Sequence, residues 1–154
     1  MNQIESAPYL ARLDEAQRRA ALAGESCVVT AGAGAGKTTV LASRFVHLVV
    51  GRKIPLRSIL ALTFTRKAAA QMYERIYLAL AEQNSPWARE QLEDFQNAQI
   101  TTIDSFCAAL LRDAARDFGY TPGFAVDADS CADLALSIAQ RYVRRNRNQE
   151  GLRE

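Results

Sequence analysis

The stretch "VVTAGAGAGKTTVL", Val28 to Leu41, joins a β-branched apolar run to a helix-forming run through alternating alanine and glycine, and closes on Lys37-Thr38-Thr39. A loop of this composition suits phosphate. Glycines let the backbone wrap closely enough for its N–H groups to face phosphate oxygens. The helix that follows adds the positive end of its dipole. Lys37 can reach the β and γ phosphates of a nucleotide as a point charge. The Thr38 hydroxyl can ligate Mg²⁺, an ion that keeps most of its waters and needs few protein ligands. The expected nucleotide-binding residues are therefore Ala31, Gly32, Ala33, Gly34, Ala35, Gly36, Lys37, Thr38 and Thr39, with Lys37 and Thr38 as the catalytic pair. The common pattern opens with a glycine at the position of Ala31, so its strict form fails by one residue.

Around the loop, the hydrophobic pattern alternates between strands and helices. "DEAQRRAALA" (14–23) predicts a helix stopped by Gly24, with Leu13, Ala16 and Ala20 near helical spacing. "SCVVTA" (26–31) predicts a buried strand, and Lys37 to about Val50 a helix ended by Gly51 and Pro55. "SILALTF" reads as a second strand. "TRKAAAQMYERIYLALAE" reads as a long helix with Ala69, Met72, Ile76, Ala79 and Leu80 on one face. Residues 83–98 predict a loop or short helix, and "QITTI" a third strand. "DSFCAALLRDAARDF" predicts a helix stopped by Gly119, "YTPGFAV" an extended connector, and "DADSCADLALSIAQRYVRRNR" a final helix. Strands alternating with helices imply parallel pairing. The expected fold is α/β, a phosphate-loop (P-loop) domain with a partial parallel sheet and flanking helices. With only three strands in view, the sheet reads as unfinished and its apolar edge as exposed.

Bulk composition adds exclusions. The 154 residues suit one domain or a piece of a larger one. Lys plus Arg is 19 against 17 for Asp plus Glu, a balance too even to point to nucleic acid without local patches. Cys27, Cys107 and Cys131 are far apart and lack metal-ligand spacing, so they read as reduced, buried thiols. The N-terminus carries no basic-then-apolar leader pattern. No apolar run approaches the roughly 18 residues that span a bilayer. The expectation is a soluble cytoplasmic protein with no membrane partner.

Four stretches occur in one order: "LDEAQRRA" (13–20), "AGAGAGKT" (31–38), "LALTFTRKAAAQM" (60–72) and "TIDSFC" (102–107). Together they resemble the front of the first motor domain of UvrD/Rep-type superfamily 1 DNA helicases. "TIDSFC" and the following "GYTPGFAV" look more like the AddA/RecB helicase–nuclease branch. The resemblance covers about residues 10–130. In that family the phosphate loop commonly starts with Ala, which accounts for Ala31. It implies a RecA-like three-layer domain, ATP and Mg²⁺ as cofactors, and single-stranded or duplex DNA as partner, with a partner helicase–nuclease subunit.

The resemblance also assigns residues. Gln17 matches the family's adenine-reading glutamine, whose amide can both donate to and accept from the N6/N7 edge. Asp14-x-x-Gln17 equally suits a capping box with Asp14 as N-cap. Thr63, Phe64, Thr65 and Arg66 match a single-strand contact element. Phe64 would stack on a base, while Thr65, Arg66 and the helix start would hold a backbone phosphate. The alternative places Phe64 in the core and Arg66 in solvent. Ser105 lies in the next DNA-facing motif, where Asp104 stands in place of the family's frequent His; both also suit a helix N-cap, while Phe106 and Cys107 read as core. His47, the chain's only histidine, reads as structural, and "RYVRRNRNQ" (141–149) as a solvated basic helix end, with a basic stripe that approaches phosphates as the alternative.

Hydrolysis also needs a second acidic Mg²⁺ ligand, a water-positioning group and an arginine finger. No acidic stretch of the family's kind follows a strand here. The "DEAQ" at 14–17 precedes the loop and opens a helix, and Asp104 and Asp127 are weak substitutes. The reading is a helicase segment that stops before this acid, with 1–126 as the N-terminal part of motor domain 1A and 127–154 as a helical segment leading onward. It should bind Mg-ATP weakly and hydrolyse it negligibly alone. Two rivals are a phosphate-loop kinase, which would usually keep the first loop glycine and add an Arg-rich lid, and a non-catalytic nucleotide- or DNA-binding module.

Overall fold

A computed structural model of the chain describes residues 7–125 and 128–145. Of the expectations above, Asp127 and residues 146–149 of the basic stripe lie outside the described residues. The chain divides into two compact units, residues 1–106 and 107–154.

In the first unit, helix α1 (Glu15–Leu22) is opened by Asp14, whose carboxylate accepts from the Gln17 backbone while the Gln17 side chain accepts from the Asp14 backbone. The capping box read from the sequence is thus present. Helix α2 (Lys37–Val46) runs into a π-helical turn, His47–Gly51. At Gly51 the packing is close enough that a Cβ would lie 2.7 Å from His47 Nδ1, so any larger residue would have to displace the His47 ring. Strand β1 (Leu60–Thr63) leads through helix α3 (Arg66–Ala81) and helix α4 (Pro86–Glu93) to strand β2 (Gln99–Thr102). The two strands pair in parallel, Leu60 opposite Gln99 and Thr63 opposite Thr102. Ser85 and Pro86 start α4 as N-cap and first helical residue.

The apolar face read for α3 is the one that packs: Met72, Ile76 and Leu80 are buried. They join Leu10, Val46, Val49, Leu56 and Phe95 in one core. Polar groups inside it are satisfied. His47 Nδ1 lies 3.1 Å from the Tyr9 hydroxyl, Ser43 donates to the Tyr9 carbonyl, and Trp87 Nε1 donates to the Val49 carbonyl at 2.7 Å. His47 is therefore structural. Burial lowers its pKa, aided by the charges of Arg52 and Arg44.

Three expectations need correction. Residues 26–31 form no strand: Val28 is 92% exposed and the segment has no ladder partner among the described residues. A β-branched run needs a neighbour to become a strand, and the sheet observed is two-stranded, β1–β2. Second, Cys27, Cys107 and Cys131 are free but exposed, not buried. Cys27 sits in that unpaired segment, and Cys107 on helix α5 (Ile103–Asp113), which buries none of its residues. Phe106 beside it is only half-buried. Third, the role of capping α5 falls to Thr102, whose Oγ1 accepts from the Ser105 backbone at 3.1 Å, and not to Asp104 or Ser105. A threonine ending a strand already has the extended backbone that a cap requires.

In the second unit, α5 gives way to a 3₁₀ turn (Ala115–Phe118) closed by Gly119 in the left-handed region, φ 74°. Helix α6 (Ala128–Arg145) follows. Among the described residues no helix is long and apolar enough to cross a membrane.

Candidate nucleotide-binding loop and strand-end surface

Two glycines set the loop's shape. Gly34 (φ 77°) and Gly36 (φ 74°) adopt left-handed backbone that only glycine enters cheaply. Ala31 does not, so no glycine is required there, and the departure from the common pattern is conformationally neutral. Gly36 is the N-cap of α2 and brings no side chain to cap it. The first bond of the helix runs from the Val40 N–H to the Gly36 carbonyl, so the N–H groups of Lys37, Thr38 and Thr39 are the orphan donors of the helix end. Their alignment, the dipole and the lysine make one electropositive cup.

Lys37 curls back over its own loop. Its Nζ donates to the Ala31 carbonyl at 3.1 Å and to the Gly32 carbonyl at 2.6 Å. Gln17 reaches the same loop from α1: its Nε2 donates to the Ala35 carbonyl at 3.3 Å. Both ends of that amide are engaged, one in capping α1 and one on the loop. The structure thus brings Gln17, Ala31, Gly32, Ala35, Gly36 and Lys37 together; Gly34 and Ala33 are exposed on the same loop, and Thr38 is half-buried, with Thr39 exposed, in the first turn of α2. A cavity of about 470 Å³ lies beside them, lined by Gln17, Val29, Ala31, Ala35, Lys37 and Arg44 among others. That is within the rough 300–1,000 Å³ range of small-molecule sites.

The sequence alone does not single out Arg44. It is half-buried, and its Nη1 donates to the Ala23 carbonyl at 2.8 Å, with the Ala20 and Ala21 carbonyls at 3.4 and 3.5 Å. No local signal marks it, because its partners lie on a different helix.

The second group of candidates sits at the carboxyl end of the sheet. Because Thr63 pairs with Thr102, the segments leaving the two strands start side by side. Phe64 is 87% exposed, so the core alternative for it fails. Thr65 is the N-cap of α3, its Oγ1 accepting from the Ala68 backbone, and Thr63 Oγ1 donates to the Thr65 carbonyl. Arg66 and Lys67 are exposed in the first turn of α3, which holds no acidic residue. Two cations at a helix N-terminus oppose the dipole, a local cost that an anion placed there would offset. Ser105 is exposed, its Oγ accepting from Thr102 Oγ1 at 2.8 Å. Asp104 is exposed beside it. Among the described residues no group of three or more His, Cys, Asp or Glu is arranged to hold a metal ion.

Comparison with known proteins gives this geometry a family. Residues 13–152 match the UvrD/REP helicase N-terminal domain. The chain is 38% identical over 127 residues to an ATP-dependent helicase/nuclease subunit of Lactobacillus gasseri, covering 79% of this chain and 10% of that protein. It is 38% identical over 133 residues to the protein of the same name from Desulforamulus reducens, covering 81% of this chain and 11% of that one. It is 35% identical over 131 residues to the ATP-dependent DNA helicase UvrD1 of Mycobacterium leprae, covering 83% and 16%. The chain therefore spans between about a tenth and a sixth of the length of these relatives. With a helix-rich α/β unit, a glycine-shaped loop at a helix start and a match covering most of its residues, the chain belongs to the UvrD/REP helicase family, as an N-terminal domain of the phosphate-loop NTPase fold.

Proposed function

We propose that the chain supplies the ATP-binding segment of an ATP-dependent DNA helicase that moves 3′-to-5′ on DNA in repair and recombination. The observation that carries this reading is the cup at residues 34–38: two left-handed glycines, unpaired helix-end N–H groups and Lys37 on one loop. These groups fit a triphosphate. The backbone donors would hold the β-phosphate, Lys37 would exchange its carbonyl partners for β and γ oxygens, and Gln17 would read the adenine edge. Bound Mg²⁺ would be held by Thr38, phosphate oxygens and water, and would supply charge neutralisation for phosphoryl transfer. Thr63, Phe64, Thr65, Arg66 and Ser105 are assigned to the DNA track, supported by their shared position at the carboxyl end of the sheet. The finer frame is a RecA-like three-layer domain of the AddA/RecB-like branch. Residues 1–126 form the N-terminal part of motor domain 1A, 127–154 a helical segment leading onward, and a cytoplasmic helicase–nuclease subunit is the partner.

The same geometry favours a limited role for these residues by themselves. Of the residues that line the cavity, Asp14 is the one acid, and its carboxylate is engaged in capping α1. These 154 residues then bind Mg-ATP without appreciable turnover, which is the behaviour of a nucleotide-binding module. Titration of ATP into the full chain tests the reading. Saturable binding that weakens at least about tenfold in Lys37→Ala, with turnover near background with or without single-stranded DNA, is expected. Binding indifferent to Lys37→Ala overturns the assignment of the loop. Robust DNA-stimulated hydrolysis that Lys37→Ala abolishes overturns the limited role.

A further inference from the structure

We infer that Arg44 is a positioning residue for nucleotide selection, holding the base-reading end of the site in register with the phosphate-reading end. The inference rests on the roles proposed above for Gln17 and Lys37. It begins with the weakness of α1. The helix has eight residues, too few to persist by propensity alone. Its last carbonyls lack intrahelical partners, and its C-cap, Ala23, has left helical backbone at ψ 125°. Arg44, reaching across from α2, meets that need: one nitrogen faces the carbonyls of Ala20, Ala21 and Ala23. A cation there also matches the negative end of the helix dipole. No carboxylate pairs with Arg44 among the described residues, so its charge is directed at these carbonyls.

The consequence lies at the other end of α1. Gln17 hangs from this helix and touches the loop at Ala35. Core packing of Ala21 and an Arg18 bond to the Leu10 carbonyl seat α1, and side-chain hydrogen bonds tie it to the loop and α2 at two points, one near each end: Gln17 on Ala35, and Arg44 on Ala20, Ala21 and Ala23. The phosphate cup, by contrast, takes its shape from the left-handed Gly34 and Gly36 and the start of α2, and Arg44 touches none of residues 34–38 by a hydrogen bond. Loss of the Arg44 fastening lets α1 shift and carries the Gln17 amide away from where a base would sit, while the cup remains. Because all three contacts converge on Nη1, an ammonium group, which has three donors on one nitrogen, can replace the guanidinium.

The test compares ATP with inorganic tripolyphosphate, which presents the anionic tail and no base, on the full chain and on Arg44→Met and Arg44→Lys. The wild type is expected to prefer ATP. In Arg44→Met the ATP affinity falls about tenfold, the equivalent of one hydrogen bond. Tripolyphosphate affinity stays within about twofold, as for a separate site. Arg44→Lys recovers most of the preference. Should Arg44→Met fail to fold, Arg44→Gln, which keeps a donor and drops the charge, is read by the same ratio. An unchanged ratio in the variants, an equal loss for both ligands, or Lys no better than Met overturns the role of Arg44 alone. A wild type with no preference for ATP overturns the adenine role of Gln17, and this inference with it.

Discussion

Gly34 and Gly36 share a backbone conformation and differ in surroundings, and that difference yields a quantitative prediction. At Gly34 a Cβ would meet nothing within 4 Å; at Gly36 it would lie 3.0 Å from Gln17 Nε2. Gly34→Ala therefore carries the left-handed cost alone, roughly 1–2 kcal/mol. Gly36→Ala carries the same cost and also displaces the Gln17 amide from Ala35. The amide is the free end of a flexible side chain, so the excess is at the low end of a hydrogen bond's net worth, about 0.5–1 kcal/mol. For a chain of this size that excess separates the two melting temperatures by roughly 1–4 °C. The assay is thermal and urea unfolding of both variants, in the native background and with Gln17→Ala. In the Gln17→Ala background the two glycines should cost the same. Equal destabilisation in the native background, or a gap that survives Gln17→Ala, refutes the placement of Gln17 against the loop.

Three further outcomes are expected. His47 has a pKa held below its ordinary 6.5, chiefly by burial. The unfolded chain therefore binds the extra proton first, and stability, full above pH 6.5, declines as pH falls below it; in a melting series from pH 7.5 to 5, the His47→Gln variant should show a flatter profile, and an unchanged slope would count against the buried neutral histidine. Phe64→Ala should leave the melt unaltered, since the ring is 87% exposed. It should weaken binding of a labelled single-stranded oligonucleotide by roughly fivefold to a hundredfold, as expected for about 1–3 kcal/mol of base stacking; unchanged anisotropy titrations would remove Phe64 from the DNA track. Ile76→Ala, at a fully buried position, should cost about 2–5 kcal/mol in urea unfolding, against under about 0.5 kcal/mol for Leu78→Ala on the exposed face of the same helix.

What the sequence made legible follows from the range of the forces involved. Asp14, Thr65 and Gly119 act on backbone within a few residues, so the starts of α1 and α3 and the close of the 3₁₀ turn after α5 could be read from the letters alone, though α5 itself ends at Asp113, short of the expected Phe118. The spacing of Met72, Ile76 and Leu80 likewise contained the buried face of α3. The loop was legible for the same reason: its glycines answer a local backbone demand. Residues 26–31 mislead because strand formation depends on a partner elsewhere in the chain, and Val28 and Val29 carry β propensity without a ladder partner among the described residues. Arg44 was invisible because its partners, Ala20, Ala21 and Ala23, present only backbone carbonyls, which any sequence supplies. Thr102 does not stand out in the sequence because Asp104 and Ser105 advertise the same capping chemistry. The adjacency of Thr63 and Thr102 required the register of the sheet, which no single segment encodes.

The ammonium of Lys37 rests on two neutral oxygens, those of Ala31 and Gly32, in place of a carboxylate. On the proposed role of the loop, an anion placed there would have no rival anion to expel; it would displace a pair of carbonyl dipoles, left free to turn to water at the exposed surface of the loop. Entry would then be governed by solvation and not by charge competition. A single aspartate introduced within reach of Nζ would convert that open-handed lysine into one already claimed.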